Sequence, residues 1–368
     1  YSSYSATSTN SNLSEQTIEN TVSGESAVYI TSTGITISET KISKSGDIAS
    51  GSTEDSEFYG INAAVLVNGG SLTMTGGSIS TSARGGNALV ATNSGTVTIS
   101  GTTVTSTGSA SARGLHATYG GTITATSVTV SSEGGSYATL ATDRGEWTVT
   151  CTGCTLTTSG SGSPLIYSTG AITVESTTGT SNAAQAVVVE GKNSATIKSS
   201  SKLSCTASPN ERNDTCGILI YQSQSWDADT GTSDSSTIEI LSSSSYYNSA
   251  PMFYVTNTDA NIDLTDCTFT YGSNKFINIG AGSWGDSGSN GGTVTMTLTN
   301  QDIEGDIVVD SISGLTLKLV SSSIKGTING GKTAAQLSIT LDSDSTITLT
   351  GDTYYTSLTN SDSSNSNI

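Results

Sequence analysis

The sequence is poor in proline, in charged side chains and in aromatic residues. Only 3 of its 368 residues are proline, 12% are charged, 6% are aromatic, and one is histidine. Scarce proline and frequent β-branched residues favour strands, while dense glycine, serine and threonine oppose helix. The aliphatic residues recur at regular places, unlike those of a disordered Ser/Thr tract, which cannot bury enough apolar surface to offset chain entropy. The sequence therefore indicates a folded, all-β protein.

Basic residues and long apolar runs are also lacking. There are 13 Lys and Arg residues against 31 Asp and Glu residues, which gives a formal net charge of −18. Without a basic stripe we expect no nucleic-acid partner, and the acidic surface opposes docking on anionic lipid. No apolar run approaches the roughly 20 residues that a membrane-spanning helix needs, so we expect no membrane span.

Short apolar triplets recur along the chain at a nearly fixed spacing of about 24 residues, with occasional insertions. A fixed period of this length is typical of a solenoid. The triplets begin at Val65, Leu89, Leu115, Thr139, Leu165, Val188, Leu219, Phe253, Ile277 and Ile307.

Each repeat contains three short strands separated by tight corners. Inward positions follow each triplet at a constant distance, as at Leu72, Val97 and Ile123, and turn residues such as Gly101 and Gly153 separate the strands. One coil cannot bury its apolar face, but stacked coils can, because each strand pairs with its counterpart above and below. We therefore predict a single-stranded, right-handed parallel β-helix of about 12 coils of about 24 residues, with three strands per coil.

The predicted organisation has three parts. Residues 1–26 lack the repeat and are expected to form an N-terminal arm or cap, residues 27–358 the parallel β-helix, and residues 359–368 a polar C-terminal tail. Because a solenoid exposes unpaired strand edges at its ends, the arm is a candidate for donation to a neighbouring chain. Its candidate assembly residues are Tyr1, Tyr4, Leu13 and Ile18.

Several phrases of residues 58–358 resemble a family of secreted, bacterial-type repeat proteins described as adhesin-like, right-handed β-helix proteins. They include "GLHATYGGTIT", "SPLIYSTGAI", "VVVEGKNS", "LIYQSQSWDADTGT" and "SWGDSGSNGG". The resemblance implies an extracellular or cell-surface β-helix and no enzyme class, and it carries over no catalytic residue, metal or cofactor. The N-terminal 26 residues depart from the family pattern.

The leading functional hypothesis is a non-enzymatic, extracellular, structural or adhesin-like solenoid that associates end to end into a filament or surface layer. The alternative is a carbohydrate-binding or carbohydrate-active β-helix, with glycan-contact loops around Trp226 and Trp284. A less favoured hypothesis is ice binding by an outward threonine column, which includes Thr73, Thr98 and Thr124.

Polysaccharide lyase or hydrolase chemistry would need clustered carboxylates and a basic residue. The best local group is Asp143, Arg144 and Glu146, which we interpret as an inter-coil salt bridge. The acidic residues of the segment 227–234 do not repeat on neighbouring coils, and His116 is expected to point outward as a surface residue. We therefore assign no catalytic, cofactor or metal site.

The cysteines favour an oxidising compartment. Cys205 and Cys216 flank an insertion that a disulfide would close, and Cys151 and Cys154 are candidates for a local bridge or for two packed thiols. Asn12 and Asn213 lie in N-glycosylation sequons, which apply in a eukaryotic source.

Overall fold

The fold is taken from a computed structural model. It describes residues 4–48, 53–110, 112–145, 147–206, 214–223, 236–241, 245–248 and 251–368. The chain forms two compact units, Tyr1–Ala186 and Val187–Ile368, called here the N-terminal and C-terminal units.

The described residues of the N-terminal unit form short strands in sets of three, together with one helix of six residues, α1 (Glu54–Tyr59). The strands are β1 (Ala6–Thr9), β2 (Leu13–Ser14), β3 (Thr17–Asn20), β4 (Ser26–Ile30), β5 (Ile35–Ser38), β6 (Lys41–Lys44), β7 (Val65–Asn68), β8 (Ser71–Thr75), β9 (Ser78–Thr81), β10 (Leu89–Thr92), β11 (Thr96–Ser100), β12 (Thr103–Ser106), β13 (Leu115–Thr118), β14 (Thr122–Thr126), β15 (Thr129–Ser132), β16 (Leu140–Asp143), β17 (Thr148–Thr152), β18 (Thr155–Thr158), β19 (Ile166–Ser168), β20 (Ala171–Glu175) and β21 (Thr178–Ser181).

Every third strand of this unit belongs to the same parallel sheet. Sheet 1 stacks β1, β4, β7, β10, β13, β16 and β19; sheet 2 stacks β2, β5, β8, β11, β14, β17 and β20; sheet 3 stacks β3, β6, β9, β12, β15, β18 and β21. The pairing is parallel and in register, as where β11 pairs with β14 from Thr96↔Thr122 to Ser100↔Thr126. The predicted architecture, a parallel β-helix with three strands per coil, is confirmed.

Alternation along the strands separates a dry interior from a hydroxyl-rich exterior. The inward residues of β8, β11, β14, β17 and β20 in sheet 2 are at most 2% exposed, and burial of each Val, Leu, Ile or Met side chain stabilises the coil by about 1.5–3 kcal/mol. They include Leu72, Met74, Val97, Ile99, Ile123, Ala125, Val149, Ile172 and Val174.

The corner between sheets 2 and 3 is tight in successive coils. Only two residues connect β8 to β9 and β11 to β12. Gly77 has φ +69°, and a Cβ there would lie 2.2 Å from the backbone oxygen of Thr40. In the next coil Thr102 donates its hydroxyl to the Gly76 carbonyl at 2.9 Å, which satisfies a buried backbone acceptor between coils.

The C-terminal unit repeats the parallel stacking in its own sheets. Its strands are β22 (Val187–Glu190), β23 (Ser194–Lys198), β24 (Lys202–Cys205), β25 (Ile218–Tyr221), β26 (Ser236–Ile240), β27 (Ser245–Asn248), β28 (Phe253–Thr256), β29 (Thr258–Thr265), β30 (Thr268–Tyr271), β31 (Lys275–Ile279), β32 (Gly292–Thr299), β33 (Asp302–Glu304), β34 (Asp306–Val309), β35 (Gly314–Val320), β36 (Ser323–Gly326), β37 (Gln336–Leu341), β38 (Thr346–Leu349) and β39 (Ser357–Asn360).

The strands of this unit divide among four stacks. Sheet 4 stacks β22, β25, β28, β31 and β34; sheet 5 stacks β23, β26, β29, β32, β35, β37 and β39; sheet 6 stacks β24, β27 and β30; sheet 7 stacks β33, β36 and β38. As in the N-terminal unit, the paired strands are parallel.

Both chain ends differ from the sequence-based expectation. Leu13 pairs with Ile37 and Ile18 pairs with Ile42, so residues 6–20 form a regular first coil, and the prediction that they lie outside the repeat is wrong. The C-terminal tail folds back on the chain, since the Ile347 amide donates to the Asn367 carbonyl at 2.9 Å.

Two local predictions also need correction. The register pairs Leu115 with Leu140 and Leu140 with Ile166, so the triplets assigned to Thr139 and Leu165 each begin one residue later. The helix α1 was missed because six residues are too few for a periodic apolar pattern, although its first turn carries Glu54, Asp55 and Glu57 and Gly60 ends it in the left-handed conformation.

Candidate functional site

The most regular surface of the N-terminal unit is the outer face of sheet 2, called here the threonine face. Its central row is threonine on six successive rungs, and serine and threonine dominate the two flanking rows. The central row consists of Thr36, Thr73, Thr98, Thr124, Thr150 and Thr173, and Glu175 is the charged residue at one corner.

In the C-terminal unit, the outward row of sheet 5 contains acidic residues as well as threonine. Glu239 pairs with both Thr196 and Asp263 in sheet 5. Charged residues therefore occupy this row in the C-terminal unit, and the charge-poor hydroxyl array belongs to the N-terminal unit.

The outer face of sheet 1 is covered, unlike that of sheet 2. The segment that contains α1 lies across it: a Cβ on Gly60 would come within 2.7 Å of side-chain atoms of Leu66 and Val90. The Thr118 hydroxyl donates to the Phe58 carbonyl at 2.7 Å, and the rings of Tyr59 and Tyr119 stack with centroids 5.3 Å apart. Because of this cover, side chains beneath it on the outer face of sheet 1 are buried, as are those that point into the interior of the solenoid.

A charged cluster lies beneath the cover, and we call it the Arg113–Asp143–His116 cluster. Asp143 Oδ2 contacts the Arg113 guanidinium at 2.9 Å and His116 Nε2 at 3.0 Å. Asp143 and His116 are fully buried, and Arg113 is 7% exposed. Sheet register produces the contact, because β13 and β16 are adjacent strands and Thr118 pairs with Asp143.

Burial sets the protonation of this cluster. It raises the pKa of Asp143 to about 6, against the opposing effects of Arg113 and Arg144. Burial also lowers the pKa of His116 well below its ordinary value, and Arg113 acts in the same direction, while Glu57 opposes it. The histidine is therefore neutral in the folded protein.

The buried side chains of His116 and Asp143 each keep one atom without a hydrogen-bond partner among the described residues, Nδ1 of His116 and Oδ1 of Asp143. Each such atom costs about 1–3 kcal/mol when it is cut off from water. The cover and the two contacts on Asp143 Oδ2 therefore hold the cluster in place. Because some of its buried atoms are unpaired, the cluster alone would contribute little to stability.

These positions correct the sequence-based interpretation. His116 does point to the outer side of its strand, but the cover buries it, so the prediction of a surface histidine is wrong. Asp143 pairs with Arg113, whereas the Arg144 guanidinium lies 3.7 Å from the centre of the Phe58 ring. Glu146, the third member of the predicted group, lies outside the described residues.

A second polar group lies on the outer side of sheet 4 in the C-terminal unit. The buried carboxylate of Glu190 accepts hydrogen bonds from the Tyr221 hydroxyl at 2.8 Å and from the Ser223 hydroxyl. The ring of Trp284 contacts Tyr221 with centroids 5.0 Å apart. The loop that carries Trp284 is fixed by the Tyr254 hydroxyl, which donates to the Ala281 carbonyl at 3.1 Å.

The predicted glycan-contact tryptophans therefore differ in outcome. Trp284 is half-buried and contacts Tyr221, which leaves only part of its ring for a ligand. Trp226, together with Asp227, Asp229 and Asp234, lies outside the described residues. The sequence indicated the tryptophan but not its contact with Tyr221, because the partner comes from a different coil.

The five cysteines are free thiols in this structure, so the candidate disulfide between Cys205 and Cys216 is not formed, and Cys151 and Cys154 adopt the alternative arrangement of two packed thiols. The Cys151 and Cys154 thiols share a hydrogen bond, which raises the pKa of Cys151 and lowers that of Cys154. The Cys216 thiol contacts the Asp214 carbonyl at 3.3 Å, and burial raises its pKa. The interior holds these thiols by hydrogen bonds across turns.

The remaining predicted positions have separate environments. Asn12 is exposed, and its Oδ1 accepts a hydrogen bond from the Thr36 amide at 2.9 Å. Tyr4 stacks on Tyr29 with ring centroids 5.0 Å apart. Tyr1 and Asn213 lie outside the described residues.

Within the described ranges, no three or more His, Cys, Asp or Glu side chains are grouped so as to hold a metal ion. The same residues include no helix with the length and apolar character needed to cross a membrane.

Comparison with known proteins adds little to this picture. No protein-family model matches the chain, and no curated protein matches it. Among solved structures, the chain is similar to the crystal structure of a TibC-catalyzed, hyper-glycosylated fragment of TibA, with 16% identity and a TM-score of 0.29 over 95% of this chain and 99% of that one. Because so low a TM-score supports no argument, strand pairing and burial alone define the class: a three-sheet parallel β-helix.

Proposed function

We propose that the protein is a non-enzymatic, adhesin-like structural solenoid that works outside the cell or at its surface. The observation that carries the proposal is the threonine face, six rungs deep and nearly free of charge. Hydroxyl groups on a rigid sheet can donate and accept hydrogen bonds without the loss of side-chain entropy that long polar residues incur. A repetitive hydroxyl-bearing partner, such as a surface glycan, suits such a face.

The test introduces charge on this face without touching the interior. Thr98 and Thr124 are exposed neighbours in register, so T98K/T124K places two like charges at the centre of the face. The matched control is T103K/T129K, which changes an exposed, registered pair on sheet 3. On a glycan array we expect wild-type binding that falls at least tenfold in the first variant and is retained in the second. Equal loss in both variants, or no binding by the wild type, would contradict the proposal.

A carbohydrate-binding site in the C-terminal unit is the second candidate. It is favoured by the Glu190–Tyr221 hydrogen bond beside the half-buried ring of Trp284, since amphipathic rings and carboxylates together suit sugar recognition. W284A should then abolish glycan binding that T98K/T124K leaves intact. A wild-type affinity in W284A would eliminate this candidate.

Self-association forms part of the leading proposal. β1, β2 and β3 are terminal strands of their sheets, and a terminal strand can pair with another chain. Because residues 6–20 are integrated into the first coil, association would use the edge of this coil and not a donated arm. Electron microscopy of the wild type should show particles joined end to end. If only single particles are seen at high concentration, the proposed self-association is refuted.

A further inference from the structure

A lysine is buried at the corner between sheets 3 and 1. Lys44 ends β6 at an inward position and is 1% exposed. Its Nζ donates to the carbonyls of Val22 at 2.7 Å and Gly46 at 2.6 Å. Fully buried lysines usually pair with a carboxylate, whereas these two acceptors are neutral backbone groups.

An asparagine side chain meets the same carbonyl. Asn62 follows the α1 cover, is 1% exposed, and donates from Nδ2 to the Gly46 oxygen at 3.0 Å. Its Oδ1 accepts a hydrogen bond from the Gly24 amide at 3.0 Å, and its φ is +68°. Thus a buried primary amine and a buried carboxamide contact one oxygen atom, and neighbouring loops fix both side chains.

We propose that Lys44 and Asn62 become joined by an isopeptide bond that the folded chain forms by itself. The neutral Nζ attacks Cγ of Asn62, and a new Nζ–Cγ bond forms while the Cγ–Nδ2 bond breaks. Nζ gives up one proton, which is transferred to the departing nitrogen, and ammonia leaves. The reaction replaces the primary amide of Asn62 by a secondary amide with no change in oxidation state, so it needs no oxidant, reductant or cofactor.

The environment favours both requirements of the reaction, a neutral amine and a carrier for its proton. Burial lowers the pKa of Lys44 to about 8, although Glu25 and Asp47 act in the opposite direction. At neutral pH about a tenth of such lysines are neutral. Glu25, whose charge acts on Lys44, is positioned by Ser5 at 2.9 Å and by Asn20 at 3.4 Å, and it is the carboxylate we assign to proton transfer.

Confinement of the two side chains lowers the barrier to the reaction. Two reactants fixed in one buried corner react as though at very high concentration, provided that their atoms can approach. Gly46 keeps this corner closed, since a Cβ there would lie 2.5 Å from the Thr21 oxygen. The bond would tie the end of β6 covalently to Asn62, in the loop after α1, and so anchor the cover of sheet 1.

The test is the intact mass of the full chain after it has folded and then been denatured. We expect the wild type to lack the mass of one ammonia, and a digest to contain one branched peptide joining the segments around Lys44 and Asn62. K44R should have its full sequence mass. K41R, a change at an exposed lysine of the same strand, should show the same loss as the wild type.

The variants separate this reaction from an internal side reaction. An asparagine that precedes glycine, such as Asn68 before Gly69, can also lose ammonia by cyclising, and that loss would persist in K44R. A full sequence mass for the folded wild type overturns the proposal, as does a loss that K44R retains. The measurement does not depend on glycan binding, so its outcome is independent of the proposed function.

Discussion

The Arg113–Asp143–His116 cluster predicts how the α1 cover over sheet 1 responds to a fall in pH. Asp143 has a raised pKa of about 6 when covered, against 3.8 ordinarily, so its protonation favours the covered state as the pH falls. His116 has a lowered pKa, so its protonation favours the open state as the pH falls below about 6.5. Between about pH 4 and 6 the covered state holds its proton on Asp143 and the open state holds it on His116. The two effects therefore oppose each other.

Single substitutions should expose each effect separately. Integrated from pH 7 to pH 4, the Asp143 shift amounts to about 2 kcal/mol in favour of the cover, a change in its opening equilibrium on the order of tens of fold. The His116 shift acts in the opposite direction, because burial holds its pKa well below the ordinary value and protonation in acid favours the open state. H116Q should therefore close the cover more firmly in acid, D143N should loosen it, and the wild type should respond less than H116Q because the two effects oppose each other.

The assay is hydrogen exchange of the α1 segment, corrected for the intrinsic pH dependence of exchange. It reports local opening and does not assume that a solenoid unfolds in one step. The charged groups that face the pair, Arg113, Arg144 and Glu57, are unchanged in both variants. Parallel pH profiles for H116Q, D143N and the wild type would refute the assigned protonation states, and so would acid-labile opening of H116Q.

Three further outcomes follow from the packing. G77A should destabilise the N-terminal unit measurably in thermal denaturation, whereas G101A, also at positive φ but without a contact nearer than 4.0 Å, should cost only its backbone strain; equal losses would contradict the corner geometry. Ile123→Ala should cost about 2–5 kcal/mol in denaturant unfolding because it empties a fully buried position, and a loss below 1 kcal/mol would indicate a loosely packed interior. The Cys151 and Cys216 thiols should resist maleimide in the folded protein and react on unfolding, and rapid labelling of the native chain would show that they are accessible.

The sequence was sufficient for the repeating part of the fold. Val97 and Ile123 alternate with Thr98 and Thr124, and because the pattern recurs at a nearly fixed period, stacked parallel coils place the first pair inside and the second pair outside. The same periodicity could not identify the first coil, because β2 has only two residues and leaves little pattern to detect.

The candidate site was less accessible to sequence reasoning. Asp143 was identified as a charged residue of interest, but its partners Arg113 and His116 lie one coil away and become neighbours only through register. Alternation correctly placed His116 on the outer side of its strand. It could not show that α1 covers that side, since a six-residue helix is an irregular insertion with no repeat to align.

The insertions explain why distinctive chemistry lies over sheets 1 and 4 and not over the threonine face. The link from sheet 2 to sheet 3 is two residues long in successive coils, and at Gly77 the backbone lies too close to Thr40 to admit even a Cβ. The strands of sheets 1 and 4, by contrast, are flanked by long connections, including 45–64 before β7 and 280–291 after β31. A connection that lengthens at these positions can fold back over the adjacent outer face, where it buries whatever side chains that face presents. The Arg113–Asp143–His116 cluster and the Glu190–Tyr221 pair both arise in this way, while sheet 2 keeps the open and regular surface on which the proposed adhesive function depends.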